Sequence, residues 1–138
     1  MKLEIITPKE KKIIEGIDEI YFPTDKGPLG ILPGYDYIIF SLSPLGVMKY
    51  KIKDKVSFYA LFGGVVKVKD DVISLLSEMV EEGSSIDLLR AKESEERARK
   101  RIIEKKDGLD IARAQASLSR ALLRQEVKSL SNGEIKDR

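Results

Sequence analysis

Apolar and lysine positions alternate along "VMKYKI" (47–52) and "VVKVK" (65–69), the period of a strand with one face in a core and one in water. Short runs rich in β-branched and aromatic residues occupy 3–7, 11–15, 19–22 and 37–40, and the series continues through "VSFYALF" (56–62) to "VISLL" (72–76). Pro, Gly or Asp bounds these runs. The connections Lys53-Asp54-Lys55 and Asp70-Asp71 predict hairpins, and Gly63-Gly64 between apolar runs predicts a bend, a bulge or a close approach of backbones. Strands spaced this closely predict an antiparallel β-sandwich or flattened barrel. Within it, "GPLGILPGYDY" (27–37) reads as a turn-rich segment that leaves Leu29, Ile31 and Leu32 half-exposed.

From Ser84 the period changes. "SSID" is a capping-box pattern with Ser84 as N-cap and Asp87 three residues on, and about twenty residues without Gly or Pro follow. Lys105 and Lys106 place positive charge at the end of this helix, Gly108 suits a left-handed C-terminal residue, and Asp107 or Asp110 can cap a second helix running to about Leu130. Asn132-Gly133 predicts a frayed tail over 131–138. Leu88, Ala91, Ala98 and Ile102 form one apolar face, and Ile111, Ala114, Leu118, Ala121 and Leu122 form another. Alanine on both faces predicts a close antiparallel hairpin that buries little surface and can open. The fold class is therefore β + α: an N-terminal antiparallel β-sandwich over 1–83, then a C-terminal two-helix hairpin over 84–138.

The charge divides at the same place. Residues 1–83 carry eleven lysines, no arginine and thirteen acids, a net of −2; residues 84–138 carry fourteen basic and ten acidic residues, a net of +4. The whole chain of 138 residues is close to neutral at +2. The absence of Cys and His excludes thiol nucleophiles, disulfides, common zinc sites and histidine acid–base catalysis. No catalytic residue and no metal site is expected, and the adjacent acids Asp70 and Asp71 read as a turn. The longest apolar run, 59–66, is far short of the roughly 20 residues of a membrane span, so membrane association is expected only through partners. A single Asn and abundant Lys, Glu and Ile resemble a thermophile's composition.

Arginine carries the candidate chemistry. Arg90, Arg97 and Arg101 recur at 0, 7 and 11, which at 100° per residue is one stripe of a helix, and Arg113, Arg120 and Arg124 repeat that spacing. Guanidiniums gathered this way repel unless acids neutralise them or an anion such as a polyphosphate joins them. The first alternative has its own pattern, since Glu93 with Arg97 and Glu95 with Arg99 are i, i+4 pairs. No Gly-Lys-Ser/Thr loop is present, so a nucleotide site here is of another kind. A free-standing nucleotide- or nucleic-acid-binding module is the alternative reading; near-neutral total charge and the lack of aromatics between the basic residues weigh against it.

"LGILPG" (29–34), Gly63-Gly64 followed by "VVKVKDDVISLL", and "IDLLRA" (86–91), in the order strand-rich part then helical hairpin, resemble the ε subunit of bacterial F-type rotary ATP synthases along nearly the whole chain. The resemblance implies a non-catalytic central-stalk subunit that couples proton-driven rotation to ATP synthesis. It implies a peripheral position on the cytoplasmic face of the membrane and no required cofactor. The implied partners are the γ shaft, the c-subunit ring and the α/β catalytic head, with no nucleic acid and no insertion into the membrane. Leu29, Ile31, Leu32 and Tyr35 then belong to the rotor-ring contact. Pro28 and Tyr35 stand where the family carries an acid and often a histidine, which implies a rigid apolar contact. The hairpin motif implies ATP as a regulatory ligand of Glu81, Asp87, Arg90, Arg97, Arg120 and Arg124. In that family the extended hairpin inhibits ATP hydrolysis, and ATP favours the folded form.

Overall fold

In a computed structural model, which describes residues 1–104 and 108–135, the chain forms two compact units, Met1–Glu82 and Gly83–Arg138. Ten strands make the first: β1 (Lys2–Ile6), β2 (Lys11–Ile14), β3 (Glu19–Thr24), β4 (Gly27–Ile31), β5 (Ile38–Ser41), β6 (Gly46–Ile52), β7 (Lys55–Leu61), β8 (Val65–Lys69), β9 (Val72–Leu76) and β10 (Val80–Glu82). They lie in two five-stranded sheets, ordered β2-β1-β9-β8-β5 and β10-β7-β6-β3-β4. The expected antiparallel pairing holds with one exception, the parallel pair of β1 and β9. Alternation sets the core: in β8, Val66 and Val68 point inward and are fully buried while Val65, Lys67 and Lys69 face out. Leu3, Ile73 and Leu75 join them from the same sheet, against Ile20, Phe22, Ile31, Met48 and Leu61 of the other.

Turn chemistry closes the hairpins. Asp70 and Asp71 both take positive φ, 52° and 62°, as a two-residue turn matched to strand twist requires. Gly63-Gly64 is a close backbone approach rather than a plain bend: Gly64 has φ +136°, and a Cβ there would collide with the Leu76 carbonyl oxygen. One open side of the sandwich is clasped by Lys12, which donates to the Tyr59 hydroxyl at 3.2 Å and lies 3.6 Å from Glu82. On the other side the Phe22 and Phe40 rings meet edge to face, centroids 5.7 Å apart.

The segment expected to be a half-exposed loop is different. Residues 27–31 are strand β4, paired with β3, and Ile31 is fully buried in the core because its register sets it opposite Ile20. Leu29 and Tyr35 pack partly buried against the same core. Leu32 is the member of the expected contact set that stands out, at 54% exposure. Just beyond it the chain is held by the Gly34 N–H donating to the Asp71 carboxylate at 2.8 Å and the Tyr35 N–H donating to the Leu32 carbonyl at 3.2 Å. The Asp70-Asp71 turn thus also anchors this loop.

The second unit starts with a short 3₁₀ turn (Gly83–Ser85), so the N-cap of α1 (Leu88–Ile103) is Asp87 and not Ser84. Asp87 is extended at φ −82°, ψ 103°, and its carboxylate accepts from the Arg90 N–H at 3.0 Å. Helix α2 runs Gly108–Ser131, so Gly108 opens it instead of ending α1. The expected charges of Lys105 and Lys106 and the alternative cap Asp107 lie outside the described residues, while Asp110 sits in the first turn of α2. The expected frayed tail begins as an ordered stop: Gly133 takes φ +72°, its N–H reaches the Leu130 carbonyl at 3.1 Å, and the Glu134 N–H reaches that of Ser129 at 2.9 Å. These two bonds make a Schellman cap.

Core and loop make separable predictions. Ile31→Ala is expected to destabilise the protein by about 2–5 kcal/mol and Leu32→Ala by less than about 0.5 kcal/mol, read from urea unfolding. Alkaline titration probes the core polar pair. Burial first, then the hydrogen bond with Tyr59 3.4 Å away, push the Tyr50 hydroxyl up to about 12, and burial likewise raises Tyr59. The folded state holds these protons more tightly than the unfolded chain does, so their stabilisation is complete below the ordinary phenol pKa of about 10 and is lost as pH rises further. Unfolding midpoints are expected to fall between pH 10 and about 12, and Tyr50→Phe to flatten that fall.

Candidate anion-binding cleft

Four buried alanines set the hairpin seam: Ala91 and Ala98 on α1, Ala114 and Ala121 on α2. Their small side chains let the helices approach, so residues flanking the seam on one helix come within reach of those on the other. Leu122, expected on this face, is 42% exposed, and Leu123 is buried in its place.

On one flank Glu95 ties the helices together. Its carboxylate accepts from Gln125 Nε2 across the seam at 2.8 Å and from Arg99 Nε one turn on at 2.8 Å. The amide of Gln125 first, then Arg99, holds the Glu95 carboxyl below the usual carboxylate range. At the 3₁₀ turn, Lys128 Nζ donates to the Ser84 carbonyl at 2.8 Å.

On the other flank lies a cleft of about 350 Å³ lined by Ser94, Arg97, Ala98, Arg101, Ser117, Arg120 and Arg124. Among the described residues no carboxylate lines it. Arg97 Nη2 donates to Ser94 Oγ at 3.1 Å, and Arg120 Nη2 donates to Ser117 Oγ at 3.2 Å. Of the two expected ion pairs, Glu95–Arg99 forms, whereas Arg97 turns to a neutral hydroxyl. A serine can steer a guanidinium but cannot cancel its charge, so the cleft keeps a strongly positive field suited to a multivalent oxyanion.

Of the residues predicted for an ATP site, the cleft gathers Arg97, Arg120 and Arg124 and leaves out Asp87 and Arg90. Asp87 spends its carboxylate on the helix cap, and Arg90 is exposed. Glu81 lies on β10 in the sandwich unit, paired with Ala60. The cleft adds Ser94, Arg101 and Ser117. Their signal in the sequence is a repeat: Arg-Ala-x-x-Ser-x-x-Arg-Ala-x-x-Arg occurs at 90–101 and again at 113–124. Among the described residues no group of three or more acids is placed to hold a metal.

Residues 1–83 match the family model of the ATP synthase delta/epsilon chain β-sandwich domain, and residues 84–128 match that of the long α-helix domain. The chain belongs to the ATP synthase ε-chain family. An ATP synthase epsilon chain of Syntrophobacter fumaroxidans is 38% identical over 127 residues, spanning 92% of this chain and 94% of that one. One from Halalkalibacterium halodurans is 36% identical over 129 residues, spanning 92% and 96%. A chain in the Euglena gracilis mitochondrial ATP synthase (OSCP/F1/c-ring) shares the fold at TM-score 0.66 and 20% identity, covering 97% of this chain and 80% of that chain. Another, in the Tetrahymena thermophila mitochondrial central stalk and c-ring, does so at TM-score 0.57 and 16% identity, covering 92% and 95%. As an ε chain the protein is a non-catalytic subunit of the ATP synthase complex. No helix among the described residues is long and apolar enough to cross a membrane.

The seam is open to direct test. Ala121 is fully buried, so Ala121→Leu is expected to cost the hairpin about 1–3 kcal/mol by overpacking, read as earlier loss of helical circular dichroism on heating.

Proposed function

We propose that this ε chain works in the central stalk of its ATP synthase, and that its hairpin restrains ATP hydrolysis until ATP holds it folded. In this reading the sandwich joins the γ shaft to the c-subunit ring on the cytoplasmic face of the membrane, so that proton-driven rotation reaches the catalytic head. Leu32, exposed on an anchored loop, carries the ring contact in place of the buried Ile31. The extended hairpin reaches the α/β head. Support for the stalk role comes from family models along both units and from the central-stalk assemblies in which chains of the same fold sit.

One observation carries the regulatory half: guanidiniums of both helices line one cleft with no acid among the described lining residues. An anion gripped by both arms stabilises the folded hairpin by its own binding free energy, about 2.7 kcal/mol at a concentration 100 times its dissociation constant. ATP binds the folded form and not the extended one, because extension separates the two arginine sets.

Calorimetric titration of the full chain with ATP, with and without magnesium, tests this. The native chain is expected to show saturable one-site binding, and an Arg97→Ala, Arg120→Ala double variant to bind at least about a hundredfold more weakly, two charge-assisted contacts being lost. Absence of heat at millimolar ATP would return the arginines to surface solvation.

A further inference from the structure

Asn132 is the one asparagine of the chain, and Gly133 follows it. Asparagine is the thermolabile amide, and before glycine it is at its most reactive, because glycine sets no Cβ beside its own nitrogen and moves freely in φ and ψ. In the reaction the Gly133 nitrogen gives up its proton and bonds to Asn132 Cγ, the Cγ–Nδ2 bond breaks, and ammonia leaves as a succinimide ring closes. Water then opens the ring at either carbonyl. One product is aspartate in the normal linkage, and the other is isoaspartate, which carries one more methylene in the backbone. Both residues are exposed, so water and base reach them.

The cap of α2 engages the groups that this reaction needs. The Gly133 N–H, the nucleophile, donates to the Leu130 carbonyl at 3.1 Å, and Gly133 is held at φ +72°. The Asn132 amide, the leaving group, donates to a Glu134 carboxylate oxygen at 3.4 Å. We propose that Asn132 is a deamidation site shielded by the cap of α2, and that its conversion to a carboxylate loosens that end of the helix. Three features set the direction of the effect. A negative charge at a helix C-terminus opposes the helix dipole. The new carboxylate faces the Glu134 carboxylate where an amide had donated to it. Lys128 lies one turn back, since the Asn132 N–H donates to its carbonyl at 3.0 Å, and its Nζ holds the Ser84 carbonyl of the 3₁₀ turn at 2.8 Å. A carboxylate at 132 competes for that ammonium and draws it away from Ser84. In the isoaspartyl product the extra methylene also shifts the spacing on which both capping bonds depend.

The full-length protein is held at mildly alkaline pH, folded or in urea, and digested at intervals for mass spectrometry and enzymatic assay of isoaspartate. Conversion is expected at Asn132 and not at Gln115 or Gln125, and about tenfold or more slower in the folded chain than in urea, because attack waits for local opening of the cap. Asn132→Asp, which is the product in the normal linkage, is expected to exchange its Gly133 and Glu134 amide hydrogens about threefold or more faster than the native chain, read by nuclear magnetic resonance. No conversion at Asn132 in urea overturns the site itself. Equal rates in the folded chain and in urea overturn the shielding, and native exchange rates in Asn132→Asp overturn the loosening.

Discussion

In the hairpin unit two opposed forces act across one seam. Burial of four alanine side chains, with Ile86, Leu123, Val127 and Leu130 beside them, draws the unit together, at about 0.8 kcal/mol for each methylene-sized group and about 1.5–3 kcal/mol for each larger side chain. Guanidiniums beside the seam push back: two like charges 4 Å apart repel by about 1 kcal/mol in water and about 4 kcal/mol where the effective dielectric falls to about 20. Larger side chains at the seam would hold the hairpin firmly and keep the arginines too far apart to share a ligand. The small residues therefore serve the close approach of the two helices.

The sandwich is built on the opposite plan. Large β-branched and aromatic side chains fill its centre, and a buried polar pair, Tyr50 with Tyr59, shares its hydrogen bonds with Lys12 at the rim. Lys12 joins β2 of one sheet to Glu82 of β10 in the other, so the strand leading into the hairpin is pinned before the chain turns helical.

Much of this architecture was legible in periodicity, because a period of 2 and a period of 3.6 are imposed by the core itself. Strand β4 was not, since its Gly27, Pro28 and Gly30 are the residues of turns; only pairing with β3 makes them a strand, and a proline suits that outermost position. Asp87 fits both a capping box and an N-cap, and the local choice went to the 3₁₀ turn before it. The arginine spacing located Arg97, Arg101, Arg120 and Arg124 but also included Arg90 and Arg113, because a helical stripe fixes direction around the axis and not position along it. Register between helices supplies that second coordinate, and it comes from Glu95 and Gln125, a polar contact that periodicity does not reveal.

Register also decides what kind of device the hairpin can be. The register set by Glu95 and Gln125 brings Arg97 and Arg101 of one helix and Arg120 and Arg124 of the other to one cleft. In this register guanidiniums from both helices line the same cleft. Opening the hairpin would separate the two arginine sets, so a ligand held by both would favour the closed form. By linkage, a ligand that favours the closed form is bound less well by whatever population is open, and a partner that captures the open form lowers the ligand's apparent affinity by the same factor.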